Sequence, residues 1–597
     1  MKRIKELILN IVRGMTRAGV RFPLTVISLL GAAGIICYMI WLRETPGILI
    51  QKLMFTFLVG SVLGMTAQFA LERFERLGKK RFAVYGVSAV LTAGYFMILW
   101  PAPQISSEIG IRTFVAVFAL ICTVLWVPSF KNKADFNKVA LVNFKSAFTS
   151  ILYSGVLSAG IVAIIAAVDI LLFKVNTDSY GYMMTIVWVL FAPIYYLSLL
   201  PRFNSENDED VRLAEHAALY PKILEILVSY IAIPLITAYT VVLIAYFAKI
   251  IITQTWPSGQ LGVMVLAYSA VGLLIYILSS LLDNQFSILY RKVYPKVLIP
   301  VVVMQLISVG IRLNAYGITE SRYYVALFGI FSIAAALVLT VRPVSKNGII
   351  ALLAAGFAIF SVIPPVDAFT VSRVSQITRV ETILKAEGIL NDGKLIPKAD
   401  VPEKVRVETT NILSYLDNRS SLKYIKWLPA DFKLYEDMKV TLGFDQSYPN
   451  ATPDFQYFYA SLNAQMPMDI SGFDTTVTTY SGRKDQKGVP SFYMTVRGIK
   501  YKLIVTRLST NETRVSVTDA AGTELVGTGL YDFAKTVISA GNSPKESIPP
   551  EMMTLDRAKD GYKLRIIFQN INGSSNAADA GTDYSMYILF AAPNQAK

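Results

Sequence analysis

The sequence predicts an α-helical polytopic membrane bundle of about eleven transmembrane helices, followed by a soluble α+β domain with a mainly antiparallel sheet. The 597 residues are 54% hydrophobic and only 17% charged, and their mean hydropathy is +0.48. Nearly every apolar stretch long enough to cross a bilayer lies before Phe369. A composition change of this kind indicates a membrane part followed by a water-soluble part.

The net charge of +15 belongs to the apolar half of the chain. Residues 1–368 carry 30 Lys and Arg against 17 Asp and Glu, whereas residues 369–597 carry 27 against 25. The basic excess therefore lies in the short connections between apolar segments, which is the pattern of membrane topology. A nucleic-acid-binding protein would need that excess on a soluble face, so we expect no nucleic-acid partner.

Eleven apolar stretches are long enough for transmembrane helices, since a helix rises 1.5 Å per residue and the hydrocarbon core is about 30 Å thick. Backbone polar groups cannot stay unpaired in lipid, so each stretch is predicted to be helical. The predicted spans are Phe22–Trp41, Leu53–Leu71, Phe82–Trp100, Ile109–Pro128, Ala147–Phe173, Met183–Leu200, Ile223–Ile252, Leu261–Leu282, Val297–Leu313, Tyr323–Val341 and Gly348–Phe369.

The chain is expected to have three parts, at residues 1–21, 22–369 and 370–597. The first part is a basic amphipathic segment on the anionic inner leaflet, with Lys2, Arg3, Lys5, Arg13 and Arg17. The second part is the helical bundle, and the third is the soluble domain. The first span is a helix rather than a signal peptide, because no small-residue cleavage pattern follows it.

Lysine and arginine concentrate in alternate connections, for example between the second and third spans. The positive-inside rule places those connections and the N-terminus in the cytoplasm. Eleven spans then predict a multi-pass protein of the cell membrane whose C-terminal domain is extracytoplasmic. One alternative stays open, because Val297–Leu313 is short and contains Pro300. A re-entrant segment there would move the C-terminal domain to the cytoplasm.

The soluble domain begins with helical periodicity and then changes to a period of two. Two amphipathic helices are expected, one ending at Gly388 and one containing Val405 and Leu416. Alternating residues then predict strands at Thr475–Tyr480, Phe492–Val496, Tyr501–Leu508, Arg514–Thr518, Tyr562–Phe568 and Tyr584–Phe590.

The residue types argue against a metal or a cofactor. The two cysteines, Cys37 and Cys122, lie in apolar segments, and the one histidine, His216, has no cysteine near it. The sequence contains no phosphate-cradling GxxxxGK[ST], no GxSxG and no HExxH. We therefore expect no cofactor and no metal, and the sequence identifies no catalytic residue.

Polar groups inside spans are costly, so each is a functional candidate. Asp169 is the clearest, but it lies four residues from the outer end of its span. A carboxylate paired with a neighbour at the interface is the alternative explanation. Prolines interrupt several spans and could expose backbone dipoles to a substrate, although proline is also common in ordinary spanning helices. They are Pro193, Pro234, Pro300, and Pro364 with Pro365.

The richest polar cluster is the predicted outer hairpin between the ninth and tenth spans. Its candidate binding residues are Arg312, Tyr316, Thr319, Glu320, Arg322 and Tyr323. Two guanidinium groups near a carboxylate and hydroxyls could bind an anionic headgroup in a bidentate manner. The same groups could instead form a salt-bridged turn that joins two helices, with Gly317 at positive φ.

This hairpin also carries a family resemblance. Arg312 with Tyr316-Gly317-Ile318-Thr319-Glu320-Ser321-Arg322-Tyr323 resembles the signature of the bacterial membrane family called domain of unknown function 4153. The Pro234 helix running to Trp256-Pro257-Ser258-Gly259 and the helix of Ser375 and Gln376 are similar to that family as well. The resemblance implies many helices with a trailing domain, and it implies no activity.

Three functions remain open. The leading hypothesis is an envelope protein whose bundle binds or handles a lipid-linked or anionic substrate, with the outer domain binding an envelope polymer or protein partner. The second is a non-transporting scaffold or sensor that presents the outer domain. The third is a membrane-embedded transferase that uses Arg312, Glu320 and Arg322 on a lipid phosphate. In all three the bilayer is the surrounding solvent.

Overall fold

The computed structural model describes residues 2–43, 46–254, 260–448, 457–482, 490–539, 545–574 and 581–593. The chain forms two compact units, Met1–Ser447 and Tyr448–Lys597. Of the segments that carry the resemblance, Trp256–Gly259 lies outside the described residues.

The first unit is an α-helical bundle preceded by an amphipathic helix. Within the described part of the chain, ten helices are long and apolar enough to cross a membrane, which confirms the membrane class. The helices are α1 Lys2–Arg21, α2 Pro23–Leu42, α3 Ile48–Arg73, α4 Arg81–Leu99, α5 Ser107–Trp126, α6 Phe136–Leu171, α7 Asp178–Ser198, α8 Lys222–Thr253, α9 Gln260–Ser279, α10 Gln285–Tyr316, α11 Glu320–Val341 and α12 Gly348–Phe360. A further helix, Asp208–Ala217, lies between α7 and α8.

The segment expected to be short is part of a long helix. Val297–Leu313 lies within α10, which has 32 residues and contains both Pro295 and Pro300. At 1.5 Å per residue, α10 is about 48 Å long. Its length therefore suffices to cross a bilayer without a re-entrant turn.

The last predicted span differs more. The structure has a helix of only 13 residues, α12, where the sequence predicted Gly348–Phe369. Asn347, at its start, donates to Asn137 Oδ1 over 2.8 Å, beside the beginning of α6. Tyr323, at the start of α11, donates to the Val366 carbonyl over 2.7 Å. Residues 347–366 thus run from one end of the bundle to the other, although only 13 of them are α-helical.

We call the end of the bundle that holds the turn between α10 and α11 the hairpin end. α12 packs beside α5, and the side chains that meet between the two helices are small. The opposite end holds the connections that begin after α3, α5 and α7. Successive helices from α2 to α12 run in opposite directions between the two ends. The chain after α12 therefore emerges at the hairpin end.

Proline and glycine shape the bundle locally. Pro193 in α7 follows a π-helical turn at Ile186–Phe191, and Pro234 in α8 follows another at Leu227–Ala232. A π turn accommodates the proline ring without breaking the helix. At Gly64 of α3, an added Cβ would lie 2.7 Å from the backbone nitrogen of Thr25. Such close approach of two backbones is how helices associate in lipid.

A smaller helical segment completes the first unit, and we call it the docked segment, residues 368–447. It consists of α13 Ala368–Ala386, β1 Leu390–Asn391, β2 Lys394–Leu395, α14 Glu403–Asp417 and α15 Leu434–Leu442. Leu384, Leu413, Leu416 and Leu442 are fully buried in its own apolar core. The boundary after Phe369 stays a prediction of where the membrane part ends. In the structure, the docked segment and the helical bundle belong to the same compact unit.

The second unit is an α+β fold whose sheets are mainly antiparallel, as the sequence predicted. Its elements are β3 Tyr457–Leu462, β4 Thr475–Ser481, β5 Ser491–Val496, β6 Ile499–Arg507, β7 Thr513–Thr518, β8 Glu524–Gly529, α16 Tyr531–Ser539, β9 Lys545–Ile548, β10 Thr554–Lys559, β11 Tyr562–Ser574 and β12 Gly581–Ala591. One sheet has the order β4-β12-β11-β3-β9, with β10 also on β11, and the other has the order β5-β6-β7-β8. All six predicted strands are present, and among the residues that the structure describes β3 and β9 form the one parallel pair.

Gly64 provides a test of the helix packing. We expect Gly64→Ala to lower the stability of the bundle by about 1–3 kcal/mol, because neither backbone can yield to the new methyl group. The measurement is the thermal unfolding temperature of the full chain in detergent. Gly34→Ala on α2 is the matched control, since nothing lies within 4 Å of a Cβ there. Equal unfolding temperatures for both variants would contradict the close packing.

Candidate functional site

The hairpin turn between α10 and α11 is built around the carbonyl end of α10. Gly317 follows the last residue of α10 with a φ of +69°. Arg322 Nη1 donates to the carbonyls of Tyr316 and Gly317 over 3.2 and 2.8 Å. A helix end leaves such carbonyls unpaired and carries partial negative charge, so a guanidinium group there is stabilising.

Helix α13 of the docked segment binds the same turn. Ser375 Oγ accepts the Ile318 N–H over 2.9 Å. Gln376 Nε2 donates to the carbonyls of Tyr316 and Ile318 over 3.0 and 2.9 Å. A Cβ at Gly317 would lie 2.8 Å from Gln376 Nε2. The positive φ therefore favours glycine at this position, and a side chain there would displace the Gln376 amide.

Glu320 joins α11 to helix α14. Its side chain is 8% exposed, and it accepts a hydrogen bond from Tyr415 Oη over 2.5 Å. Arg419 Nε lies 3.4 Å from its other oxygen. Burial raises the pKa of Tyr415 above its ordinary value, and the Glu320 carboxylate raises it further. The phenol therefore stays protonated and keeps its hydrogen for Glu320.

A second ion pair holds the start of α13. Arg112 of α5 donates to Asp367 Oδ1 over 2.7 Å. Asp367 also caps α13, since its carboxylate accepts the N–H groups of Phe369 and Thr370 over 3.1 Å each. Burial opposes ionisation of Asp367, but these hydrogen bonds and Arg112 outweigh it, so the pKa of Asp367 is lowered. The docked segment is thus attached through carboxylates at two places.

Three arginines lie near one another at the end of α10, and we call Arg312, Arg322, Arg379 and Tyr316 the Tyr316 cluster. The guanidinium carbons of Arg322 and Arg379 lie 5.5 and 6.0 Å from the ring centroid of Tyr316. The charges of Arg312 and Arg379 are both close enough to repel that of Arg322. Arg379 pairs with Glu408 over 3.1 Å. Among the described residues, no carboxylate lies within ion-pair distance of Arg312 or Arg322.

A polar pocket of about 220 Å³ lies between the bundle and the docked segment. It combines two arginines, two carboxylates and several hydroxyl and amide groups, and it has Glu320 in its wall. Its charged and polar lining consists of Gln104, Ser106, Ser107, Glu108, Glu320, Arg373, Tyr415, Asn418, Arg419, Ser420 and Ser421. Such a lining suits a small polar or charged ligand group.

The structure places the remaining candidate residues as follows. Thr319 Oγ1 lies 3.3 Å from Ser321 Oγ, and Tyr323 binds the Val366 carbonyl. Asp169 accepts the Val175 N–H over 2.8 Å and lies 3.4 Å from Lys174, so the contacts described for it are local to the end of α6. Arg322 is directed to the carbonyls of the turn whereas Glu320 is directed to α14.

The sequence pattern did not indicate the partners supplied by α5, by the docked segment and by the residue just before it. These are Arg112, Asp367, Arg373, Gln376, Arg379, Tyr415 and Arg419. One signal for part of this set was present, because Ser375 and Gln376 carried the family resemblance. Arg379 follows Ser375 by four residues, which places it on the same face of a helix.

Comparison with known proteins gives the family. The model of a family described as domain of unknown function, DUF4153, matches residues 30–391. The chain belongs to the DUF4153 family. The DUF4153 match includes both the hairpin turn and the whole of α13, so the two elements that bind each other lie within the shared region.

A curated relative of this DUF4153 protein is the uncharacterized protein PM1469 of Pasteurella multocida strain Pm70. It is 28% identical over 194 residues, which are 31% of this chain and 32% of the relative. The chain thus matches about a third of the length of that relative. No solved structure matches the chain.

The contact between Glu320 and Tyr415 can be measured by a double-mutant cycle. We expect Tyr415→Phe to destabilise docking of α14 by about 1.5–3 kcal/mol, since a hydrogen bond to a buried charge is lost. The two substitutions Tyr415→Phe and Glu320→Gln should show an interaction free energy of about 0.5–3 kcal/mol in the cycle. Hydrogen exchange of α14 in the full chain gives the opening free energies. Tyr435→Phe, at an exposed tyrosine of α15, is the control, and strictly additive effects would contradict the contact.

Proposed function

We propose that this DUF4153 protein is a multi-pass protein of the cell membrane that binds the anionic headgroup of a lipid or lipid-linked envelope substrate at the Tyr316 cluster. The observation that carries the proposal is the set of guanidinium groups at the hairpin end. Arg312 and Arg322 have no carboxylate partner among the described residues, and they repel each other. An anion bound between them would relieve that repulsion.

The chemistry of the cluster suits a phosphate. Guanidinium groups bind phosphate oxygens in a bidentate manner and are less strongly hydrated than ammonium groups. Arg312 precedes Tyr316 by four residues, so both lie on one face of α10. Tyr316 is 51% exposed, and tyrosine is enriched at the level of lipid headgroups. A ligand phosphate at the membrane surface would therefore meet two charges and an aromatic ring together.

The orientation follows from the basic residues. The connections at the end opposite the hairpin are rich in Lys and Arg, which supports a cytoplasmic position for that end and for the N-terminus. The hairpin end then faces the outside of the cell, and we propose the same side of the membrane for the C-terminal unit. We propose that the C-terminal unit is the module that binds an envelope polymer or protein partner.

A scaffold is the second candidate, and a specific observation favours it. Gln376, Ser375 and Tyr415 dock residues 368–447 on the bundle, and a protein that only positions an outer module would need the same contacts. A transferase receives less support, because Glu320, its expected acid or base, is already held by Tyr415 and Arg419.

Native mass spectrometry of the detergent-purified full chain tests the proposal with two probes, phosphatidylglycerol and a polyprenyl phosphate. We expect Arg312→Gln to weaken binding of the preferred probe about tenfold, as loss of a charge-assisted contact of about 1.5 kcal/mol implies. The probe that binds more tightly identifies the source of the phosphate. Arg342→Gln, an exposed arginine just after the other end of α11, is the matched control.

Three results decide between the candidate functions. Weaker binding in Arg312→Gln alone supports headgroup binding at the Tyr316 cluster. Identical spectra for wild type and both variants contradict it and favour the scaffold. Conversion of the probe to a product of different mass, abolished by Glu320→Gln, would instead indicate a transferase.

A further inference from the structure

Two neighbouring cavities lie at the end of the bundle opposite the hairpin. A cavity of about 690 Å³ is present there between α1, α3, the start of α4, the end of α7 and the helix Asp208–Ala217. Four arginines line it, Arg17, Arg21, Arg81 and Arg202, together with the two carboxylates Glu209 and Asp210. Positive charge is therefore in excess in this cavity, which we call the arginine cavity.

Two of the arginines are used by the protein itself. Arg21 binds Glu72 through two hydrogen bonds of 2.7 and 2.8 Å and donates to the Pro201 carbonyl over 3.0 Å. Arg202 lies 3.6 Å from Asp210. Both pairs join the connections at this end, so these two guanidinium groups have structural partners.

The other two arginines keep their charge available. Arg81 donates to the Val20 carbonyl over 3.3 Å, and its guanidinium carbon lies 5.5 Å from the ring of Tyr85. Within the described ranges, neither Arg17 nor Arg81 has a carboxylate within ion-pair distance. Both side chains are exposed, at the level where anionic headgroups attract basic groups.

An apolar cavity of about 470 Å³ adjoins the arginine cavity. Leu197 lines both. On α3, Met65 lines the apolar cavity and Gln68, one turn away, lines the arginine cavity. Similarly, Thr25 lines the apolar cavity one turn after Arg21. The two cavities therefore follow each other from the membrane surface into the bundle, and each falls near the size range of ligand sites, about 300–1,000 Å³.

The polar groups in the wall of the apolar cavity are satisfied within the protein. Thr25 donates to the Ser61 carbonyl over 2.9 Å, and Ser61 donates to the Leu58 carbonyl over 2.7 Å. Tyr196 donates to Asn143 over 2.6 Å. Since these groups need no further partner, the cavity presents hydrocarbon surface, which suits an acyl chain better than water.

We infer that the two cavities together bind one phospholipid with an anionic headgroup, with the headgroup at Arg17 and Arg81 and an acyl chain in the apolar cavity. Charge complementarity selects the headgroup, and the adjoining hydrocarbon surface selects a lipid over a free phosphate. The inference does not rest on the Tyr316 cluster, which lies at the other end of the bundle.

Photolabelling of the full chain in lipid nanodiscs tests the inference. The probes are phosphatidylglycerol and phosphatidylcholine that each carry a diazirine in the middle of one acyl chain. We expect phosphatidylglycerol to label the peptides of α3 and α7 several-fold more than phosphatidylcholine does. Arg17→Gln with Arg81→Gln should reduce that labelling to the level of phosphatidylcholine, and Ala147→Trp, which fills the apolar cavity, should reduce labelling by both probes.

Matched variants separate the site from general lipid contact. Arg13→Gln with Arg76→Gln removes the same charge from exposed positions outside the cavity, and Ala163→Trp adds the same bulk on the exposed side of α6. Both should label as the wild type does. Arg17→Lys with Arg81→Lys keeps the charge and should restore most of the preference for phosphatidylglycerol, which a folding defect would not allow.

Three outcomes would overturn the inference. These are equal labelling by both probes in the wild type, equal losses in the cavity and control variants, and a preference for phosphatidylglycerol that survives Arg17→Gln with Arg81→Gln. Because every labelled peptide belongs to α3 or α7, a failure here is distinguishable from a failure at the Tyr316 cluster.

Discussion

The carbonyl end of α10 is the point on which the hairpin end of the bundle depends. A helix that stops at a membrane surface leaves its last carbonyls without partners, and the cost of leaving them buried and unpaired is high. Side chains from two other segments supply the donors: Arg322 from α11, and Gln376 and Arg379 from α13. A single backbone requirement therefore draws three elements together, and it explains why basic residues accumulate around Tyr316.

In the proposed function, the same contacts connect folding with ligand binding. Arg322 and Arg379 each donate to a carbonyl of the turn and also present positive charge beside an exposed aromatic ring. Arg312 has no comparable structural partner among the residues that the structure describes. The cluster thus contains groups that hold the turn and one group whose charge is free for a ligand, and a single substitution can address the second without disturbing the first.

Most of the fold was predictable from the sequence, because the signals are local. Continuous apolar runs identified the spanning helices, and alternation of residue types identified six strands. The errors have physical causes. The last apolar run is helical only to Phe360, since Pro364 and Pro365 lack the N–H groups that a helix needs. β8 contains two glycines and β9 has four residues, so neither shows a clear strand pattern. The sequence also indicated that the hairpin turn is rich in polar residues. It did not indicate Tyr415, because this residue lies 95 positions after Glu320 and no local pattern predicts such a contact.

The short helix α12 has a consequence for the segment that follows it. Thirteen residues rise about 20 Å, which is roughly 10 Å less than the hydrocarbon thickness of a bilayer. The chain from Ser361 to Asp367 completes the crossing with irregular backbone, and Arg112 and Tyr323 donate to its carbonyls at Val362 and Val366. Irregular backbone at membrane depth would leave its carbonyls unpaired in hydrocarbon, so α5 and α11 supply donors that lipid does not offer. The end of this crossing is therefore stable only where it lies against the protein.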